Sequence, residues 1–426
     1  TRSSINMTKK NCILVLLALV AFAMRMWRPN YDPPPEDLIR DEAPWTDEGT
    51  ISHPVISALE TGNDCFSLAF VGGRSLHQMM LCAVFQDFGV GKALGRWLTA
   101  FWGMIGLIAL GRIGSAIWPR YGAQLAYLLA GTGFFFVAFD RLILTEGVLI
   151  ALLSCCALVG LGQLKEWQTL LVGCFLGVLA MGFKLHALAL APALFVLYLL
   201  RRRPMTIPFV VGLGFAISVW RAGLIPDASI LRVVDVPPRV LHPTMGLAGP
   251  LHAFLNIWYG GLDARYFIYQ IPLVILAGLE AAGFLLRPRR WLLETSPQVL
   301  VALSWFIVTL VGVDVFEYGP ARYYHFVSPS LVLLSIAGMR RVWEGKAFPA
   351  IAHGRRLAVA LVVGTWLMMQ VFPPLPLFGR WAIWIPLLGL PLPLFLFLLL
   401  AWSPKDWKTA LKYCRVGLVV LLVLHC

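Results

Sequence analysis

The chain has 426 residues, of which 59% are hydrophobic and 13% are charged, and its formal net charge is +13. Soluble domains carry about twice that share of charged residues, so the composition excludes an ordinary soluble protein and favours a polytopic membrane protein. The basic residues lie in short connections between apolar runs, which is typical of the positive-inside rule. We therefore expect no nucleic-acid partner. We interpret the excess of basic residues as marking the cytoplasmic connections, with a secondary attraction to anionic lipid headgroups.

Thirteen apolar runs along the chain are long enough, or nearly long enough, to cross a membrane as helices. They are 12–27, 94–117, 121–139, 142–161, 168–182, 185–200, 206–222, 266–286, 297–313, 324–339, 356–373, 380–401 and 411–425. We predict an all-α transmembrane bundle of about 11–13 helices, because several runs are short or closely spaced. Lys9-Lys10 before the first run resembles the start of a signal sequence, and we expect this run to be a retained anchor.

Basic clusters determine the predicted orientation. With Lys9-Lys10 in the cytoplasm, the even-numbered connections carry nearly all of the clusters, including Arg201-Arg202-Arg203 and Arg340-Arg341. The non-cytoplasmic face, called the outer face below, then holds the connections 28–92, 223–265 and 314–323.

The first outer connection is the most acidic part of the chain. Residues 28–92 hold ten of its 22 acids, and we predict two amphipathic helices there on the membrane surface, at about 50–61 and 74–87. Cys65 and Cys82 both lie in this connection and would be able to pair in an oxidising compartment. The sequence leaves that pairing open.

Two acidic features are candidates for chemistry at the outer face. Asp47-Glu48 follows the first helix by about twenty residues, and a transfer to a hydroxyl acceptor needs such a carboxylate to take the proton. Asp140-Arg141 forms an outer turn, and Glu146 follows it inside an apolar run, where an ionisable group is costly and usually paired or functional. The alternatives are solvated acids at the first site and a local ion pair that closes the hairpin at the second.

Two cationic features lie at outer helix ends. Lys184 stands near His186 at the start of the sixth run, and Arg322 precedes Tyr324 and His325 at the start of the tenth. Lysine and arginine both bind phosphate, with tyrosine and histidine as further donors. The alternatives are a snorkelling lysine and an aromatic belt with an anchoring arginine. Acids and cations on one face suit a substrate with an anionic phosphate and a hydroxyl nucleophile.

Five segments resemble motifs of the membrane glycosyltransferases of the C-type (GT-C) fold, especially the branch of protein O-mannosyltransferases and the lipid A aminoarabinose transferase. The segments occur in the family's order over about the first 210 residues and again around 314–340. They are Asp47-Glu48-Gly49, residues 88–97 ("fG…A.R"), residues 141–146 ("R..l.e/d"), Gly182-Phe183-Lys184 with Pro192 following, and residues 322–329 ("RY..p..P").

The resemblance implies an inverting transfer of a sugar from a polyprenyl-phosphate carrier to a hydroxyl acceptor on the non-cytoplasmic side. Asp47 would be the general base, with Glu48 beside it and Glu146 as the second acid of the cleft. The residues expected to hold the carrier phosphate are Lys184, Arg322, His325, Tyr324 and Arg141. Some C-type enzymes use a divalent ion, but we expect no obligatory metal or other cofactor here.

We expect one catalytic core over residues 1–355, further transmembrane helices over 356–426 and no separate soluble domain. Because the connection 223–265 is short for a protein mannosyltransferase, the acceptor stays open among lipid, glycan and protein hydroxyls. The expected location is a bacterial inner membrane with the site facing the periplasm, and partner subunits in the membrane are compatible with the sequence. Two other classes remain open, an inactive scaffold subunit and a transporter or flippase of lipid-linked sugars.

Overall fold

The computed structural model describes residues 9–27, 43–65, 75–162, 164–183, 294–314 and 325–344, together with residues 273, 276–278, 280 and 291. Its helices in chain order are α1 (Lys9–Met26), α2 (Ala43–Glu60), α3 (Ser75–Phe88), α4 (Lys92–Ile117), α5 (Gly122–Thr132), α6 (Phe134–Asp140), α7 (Thr145–Leu161), α8 (Glu166–Phe183), α9 (Pro297–Asp314) and α10 (Ser328–Trp343). A short 3-10 helix, His325–Val327, precedes α10. These ranges contain no strand, which confirms the all-α fold class.

Several sequence predictions fall outside the described ranges. They are the runs 185–200, 206–222, 356–373, 380–401 and 411–425, most of the run 266–286, and the outer connections 223–265 and 315–323. The predicted C-terminal helices over 356–426 therefore stay a prediction.

Among the described helices, α4 alone is long and apolar enough by itself to cross a membrane. Shorter apolar helical segments are Asn11–Met26, Thr145–Leu161 and Pro297–Thr309. The predicted run 121–139 was wrong as a single helix, because the chain forms α5 and α6 with a break at Gly133. Gly133 adopts an extended backbone conformation, with ψ of 130°, and ends the hydrogen-bond ladder of α5.

The core is built around α7, which is buried on nearly every side and lies against α4. A helix that is apolar all round needs neighbours on all faces, either protein or lipid. Small residues allow the backbones to come close: a Cβ on Gly106 of α4 would lie 2.9 Å from the Cα of Ala151 on α7. At the α4–α5 crossing, a Cβ on Gly122 would collide with the carbonyl oxygen of Gly114. Small-residue contacts of this kind are typical of helix packing in membranes.

The predicted cytoplasmic end of the bundle is closed by α10. The Nη1 atom of Arg340 donates a 2.7 Å hydrogen bond to the carbonyl oxygen of Ile117, the last residue of α4. The rings of Trp118, Tyr121 and Trp343 pack together beside it, with centroids 5.2–5.8 Å apart. A cation at a helix C-terminus satisfies free carbonyl groups and complements the helix dipole, so Arg340 holds α4 and α10 in register.

The first outer connection contains the two predicted helices, α2 and α3, joined by a disulfide between Cys65 and Cys82. The bond left open by the sequence is thus formed. The boundary of α2 differs from the prediction, because α2 begins at Ala43 and includes Asp47 and Glu48. Pro44 lies in its first turn, where proline loses no helical hydrogen bond and favours helix initiation.

Candidate functional site at the outer end of the bundle

His325 is the centre of a buried cluster at the end of the bundle that the sequence predicts to be the outer one. Its side chain is fully buried. Its ring stacks on Phe139 with centroids 4.8 Å apart, and it meets the edge of Phe136 at 5.1 Å. Both phenylalanines belong to α6, so the 3-10 helix before α10 is held against the end of α6. His325 was predicted from the sequence, but its aromatic partners were not.

Glu146 lies in the first turn of α7 and is 2% exposed. Thr145 Oγ1 donates a 3.2 Å hydrogen bond to Glu146 Oε2. The N-terminus of a helix favours a carboxylate, because its free N–H groups and dipole are positive there. His325 stacks on Phe139, the adjacent Asp140 lies against Gly147, and Glu146 directly precedes Gly147. The structure thus places two predicted site residues from distant parts of the chain at the same end of the bundle.

Asp140 forms a buried ion pair with Arg25, with 2.7 Å between Arg25 Nη2 and Asp140 Oδ2. The carboxylate of Asp140 therefore faces α1, and its ion-pair partner is distant in sequence rather than the neighbouring Arg141. Arg25 was missed from the sequence. The available signal was its position, because a basic residue at the outer end of the first apolar run departs from the positive-inside rule.

Arg141 lies in the turn between α6 and α7. Its Nη2 atom donates a 2.7 Å hydrogen bond to the carbonyl oxygen of Trp27, directly after α1. Burial lowers the pKa of Arg141, and the positive charge of Arg96 lowers it further. Arg96 is itself buried at the start of α4. Since guanidinium groups keep their charge in proteins, two cations lie near each other at this end of the bundle.

The other predicted site residues are only partly covered by the described structure. Asp47 and Glu48 are placed by their backbone in α2, two turns or less from its start. Lys184, Arg322 and Tyr324 lie outside the described ranges. In the part of the chain that the structure describes, no three His, Cys, Asp or Glu side chains form a group able to hold a metal ion.

The cluster combines groups suited to proton transfer and to anion binding. Carboxylate and imidazole side chains are both common general acids and bases, and Glu146 and His325 are buried at the same end of the bundle. Arg96 and Arg141 provide positive charge at the same end of the bundle. His325 is fully buried among aromatic rings, and electrostatic interactions are stronger in such an apolar environment.

No protein-family model matches the chain, and no curated protein matches it. Among solved structures, ArnT from Cupriavidus metallidurans in the apo state aligns with a TM-score of 0.50 and 16% sequence identity, covering 92% of this chain and 75% of that one. The same protein bound to undecaprenyl phosphate aligns over the same shares of both chains with 16% identity and a TM-score of 0.45. The likeness to the apo structure shows the fold alone: the described helices form an all-α bundle similar to that of ArnT.

Proposed function

We propose that this protein is a membrane glycosyltransferase that moves a sugar from a polyprenyl-phosphate carrier to a hydroxyl acceptor, with inversion at the sugar. The observation that carries the proposal is that two buried ionisable side chains, Glu146 and His325, lie at the same end of a bundle whose fold resembles that of ArnT. A buried acid and a buried imidazole at the end of an apolar bundle are costly for folding alone, so a functional role is favoured.

In the proposed reaction, the acceptor oxygen attacks the anomeric carbon of the donor sugar. The bond between that carbon and the phosphate oxygen breaks, and its electron pair stays on the carrier phosphate. Asp47 takes the acceptor proton, Glu48 lies beside it, and Glu146 is the second acid of the cleft. A single displacement of this kind inverts the configuration at the anomeric carbon. In this proposal no metal ion is obligatory.

Positive charge would stabilise the phosphate as it leaves. The residues proposed for this role are Lys184, Arg322, Tyr324, His325 and Arg141. Of these, Arg141 is half-buried in the turn between α6 and α7, and a guanidinium group at that end of the bundle suits a phosphate.

The proposed location is a bacterial inner membrane, with the site on the periplasmic side. The Cys65–Cys82 disulfide supports an oxidising compartment for α2 and α3, since such bonds persist outside the cytosol. The proposed partners are the lipid-linked sugar donor and a lipid, glycan or protein hydroxyl acceptor.

The test is transfer of radiolabelled sugar from polyprenyl-phosphate sugars to a membrane extract by the purified protein and by Asp47→Asn. Asp87→Asn is the matched control, because Asp87 is an exposed acid in the same outer connection. We expect transfer by the wild type and the control, and a loss of at least about a hundredfold in Asp47→Asn.

Equal transfer by Asp47→Asn would remove Asp47 from the mechanism and make Glu48 or Glu146 the candidate base. Absence of transfer from every donor would overturn the proposed function and favour a scaffold or a transporter.

A further inference from the structure

All three nitrogen atoms of the Arg25 guanidinium group donate hydrogen bonds inside the bundle, and the residue is 1% exposed. Its Nε atom donates to Asp140 Oδ2 at 2.8 Å, and its Nη1 atom donates to the carbonyl oxygens of Gly131 at 2.5 Å and Ala21 at 3.2 Å. Its Nη2 atom donates to the carbonyl oxygen of Ala130 at 3.1 Å. One side chain of α1 therefore binds both α5 and α6.

These bonds are located where the helix ladder is interrupted. Ala130 and Gly131 lie in the last turn of α5, just before the break at Gly133. Carbonyl groups at a helix end have no partner within the helix, and leaving them unpaired in an apolar interior is costly. Arg25 supplies the missing donors and a positive charge at the negative end of α5. The break between α5 and α6 is thus tied to α1.

Asp140 is confined on the opposite side as well. Its carboxylate lies against Gly103 of α4 so closely that a Cβ at that position would collide with it. A Cβ on Gly147 of α7 would lie 3.0 Å from Asp140 Oδ1. Glycine at these two positions leaves the space that the carboxylate fills. Contacts from α1, α4 and α7 therefore fix the end of α6.

The residues next to this anchor belong to the proposed site. Phe139 precedes Asp140 and carries the stacked ring of His325, and Glu146 precedes Gly147. We propose that Arg25 and Asp140 are a positioning pair, which holds Phe139 and through it fixes the imidazole of His325 relative to the carboxylate of Glu146. The catalytic consequence of this role rests on the proposed function, whereas its geometric consequence does not.

The alternative is an ion pair that only stabilises the bundle. Buried ion pairs often contribute little net stability, because the cost of removing two charges from water offsets their attraction. An apolar pair would join the helices as well, but it would lack the directional bonds that fix Asp140 and the end of α5. The test must therefore separate the geometry of the site from the stability of the protein.

The kinetic experiment compares Asp140→Asn and Arg25→Gln with Glu280→Gln. The control removes the charge of another buried acid, whose partner Arg341 lies at the opposite end of α10 from His325. We expect kcat to fall by about a hundredfold in Arg25→Gln, with KM for the donor unchanged, since small displacements of reacting groups have effects of that size. Asp140→Asn, which keeps an acceptor oxygen for Arg25, should lose less. Glu280→Gln should keep the kcat of the wild type.

The geometric readout is the reaction of His325 with diethylpyrocarbonate, followed by peptide mass spectrometry. His53 is exposed on α2 and serves as the internal reference. We expect His325 to be protected in the wild type and in Glu280→Gln, and to react at least about tenfold faster in Arg25→Gln because the local opening free energy falls.

The two readouts separate the possible failures. Faster modification of His325 in Arg25→Gln, with no transfer by the wild type, supports the positioning role and overturns the proposed function. Unchanged modification of His325 in a folded Arg25→Gln overturns the positioning role, whatever the transfer assay shows. If Glu280→Gln exposes His325 as much as Arg25→Gln does, general destabilisation explains the effect and the positioning role is also overturned.

Discussion

Arg141 donates a 2.7 Å hydrogen bond from Nη2 to the carbonyl oxygen of Trp27, directly beyond the end of α1. Arg25 of α1 donates to α5 and α6, and Arg141 donates from the turn between α6 and α7 back to the residue after α1. The two arginines therefore hold this end of α1 against α5, α6 and the start of α7. A carbonyl group beyond the last turn of α1 has no partner within the helix, and a charged donor there is favourable. Arg141 therefore has a structural contact in addition to its proposed role at the carrier phosphate.

Replacing Arg141 by glutamine should separate these two roles. Loss of the charged hydrogen bond at this half-buried position should reduce the free energy of unfolding by about 1 kcal/mol, measured by thermal unfolding in detergent. Arg112→Gln is the control, because Arg112 is exposed on α4, and it should stay within about 0.5 kcal/mol. If Arg141 also holds the phosphate, KM for the donor should rise in Arg141→Gln alone; an unchanged KM would contradict that role.

The boundaries of the long helices could be predicted from the sequence because lipid-facing and core-facing surfaces are both apolar. The predicted run 94–117 corresponds to α4, and the predicted run 297–313 corresponds to α9. The break between α5 and α6 could not be predicted in this way, since both sides of it are equally apolar. It depends on Gly133 and on the donors that Arg25 provides from another helix.

Part of the site was also predictable, and the reason lies in the cost of burying charge. Glu146 was identified because it interrupts an apolar run, and His325 because it follows Arg322 at the start of the tenth run, where a hydrogen-bond donor to phosphate was expected. Their position at the same end of the bundle, and the pairing of Arg25 with Asp140, depend on the three-dimensional packing of helices that are far apart in the sequence. Periodicity reports which face of a helix is buried, but it does not report which other helix lies against that face.

A methyl group at Gly103 should displace the carboxylate of Asp140 from the space that it occupies. The Cβ of Gly103→Ala would collide with the carboxylate, which cannot move far because Arg25 and Gly147 confine it. We expect a loss of about 1–3 kcal/mol in the free energy of unfolding, as for other overpacked cores. Gly278→Ala is the control: Gly278 is helical and exposed, and no atom of the described residues lies within 4 Å of an added Cβ, so the substitution should be neutral or stabilising.

The opposite outcome at Gly103 would also be informative. If Gly103→Ala had the same free energy of unfolding as Gly278→Ala, the carboxylate of Asp140 would be able to move without loss of stability. That result would contradict the close contact between α4 and the end of α6.

The disulfide should be detectable by alkylation and mass spectrometry. Without reductant, Cys65 and Cys82 should stay unlabelled, while Cys12 serves as a free and exposed reference thiol. Labelling of both after reduction would complete the assignment. Labelling of Cys65 and Cys82 before reduction, in protein purified from membranes under thiol-blocking conditions, would contradict the bond.

Removing the disulfide should loosen α2 relative to α3. For a closed loop of this length, the double variant Cys65→Ser/Cys82→Ser should lose about 3 kcal/mol of local stability, although strain and residual structure can reduce that value. Because α2 carries Asp47 and Glu48, we expect kcat to fall with reductant in the wild type and to be insensitive to reductant in the double variant. An equal response to reductant in both proteins would place the redox effect elsewhere.

Glu146 and Thr145 offer a test of the carboxylate at the start of α7. Glu146→Gln keeps the shape of the side chain and removes its charge, so kcat should fall by at least about a hundredfold if Glu146 is the second acid of the cleft. Thr145→Val removes the hydroxyl group that donates to Glu146 Oε2 and should reduce kcat by only about fivefold, the size of one neutral donor's contribution. Because the hydroxyl group acts through the carboxylate, the double variant should be no slower than Glu146→Gln alone. Additive losses would mean that Thr145 acts on the substrate by itself.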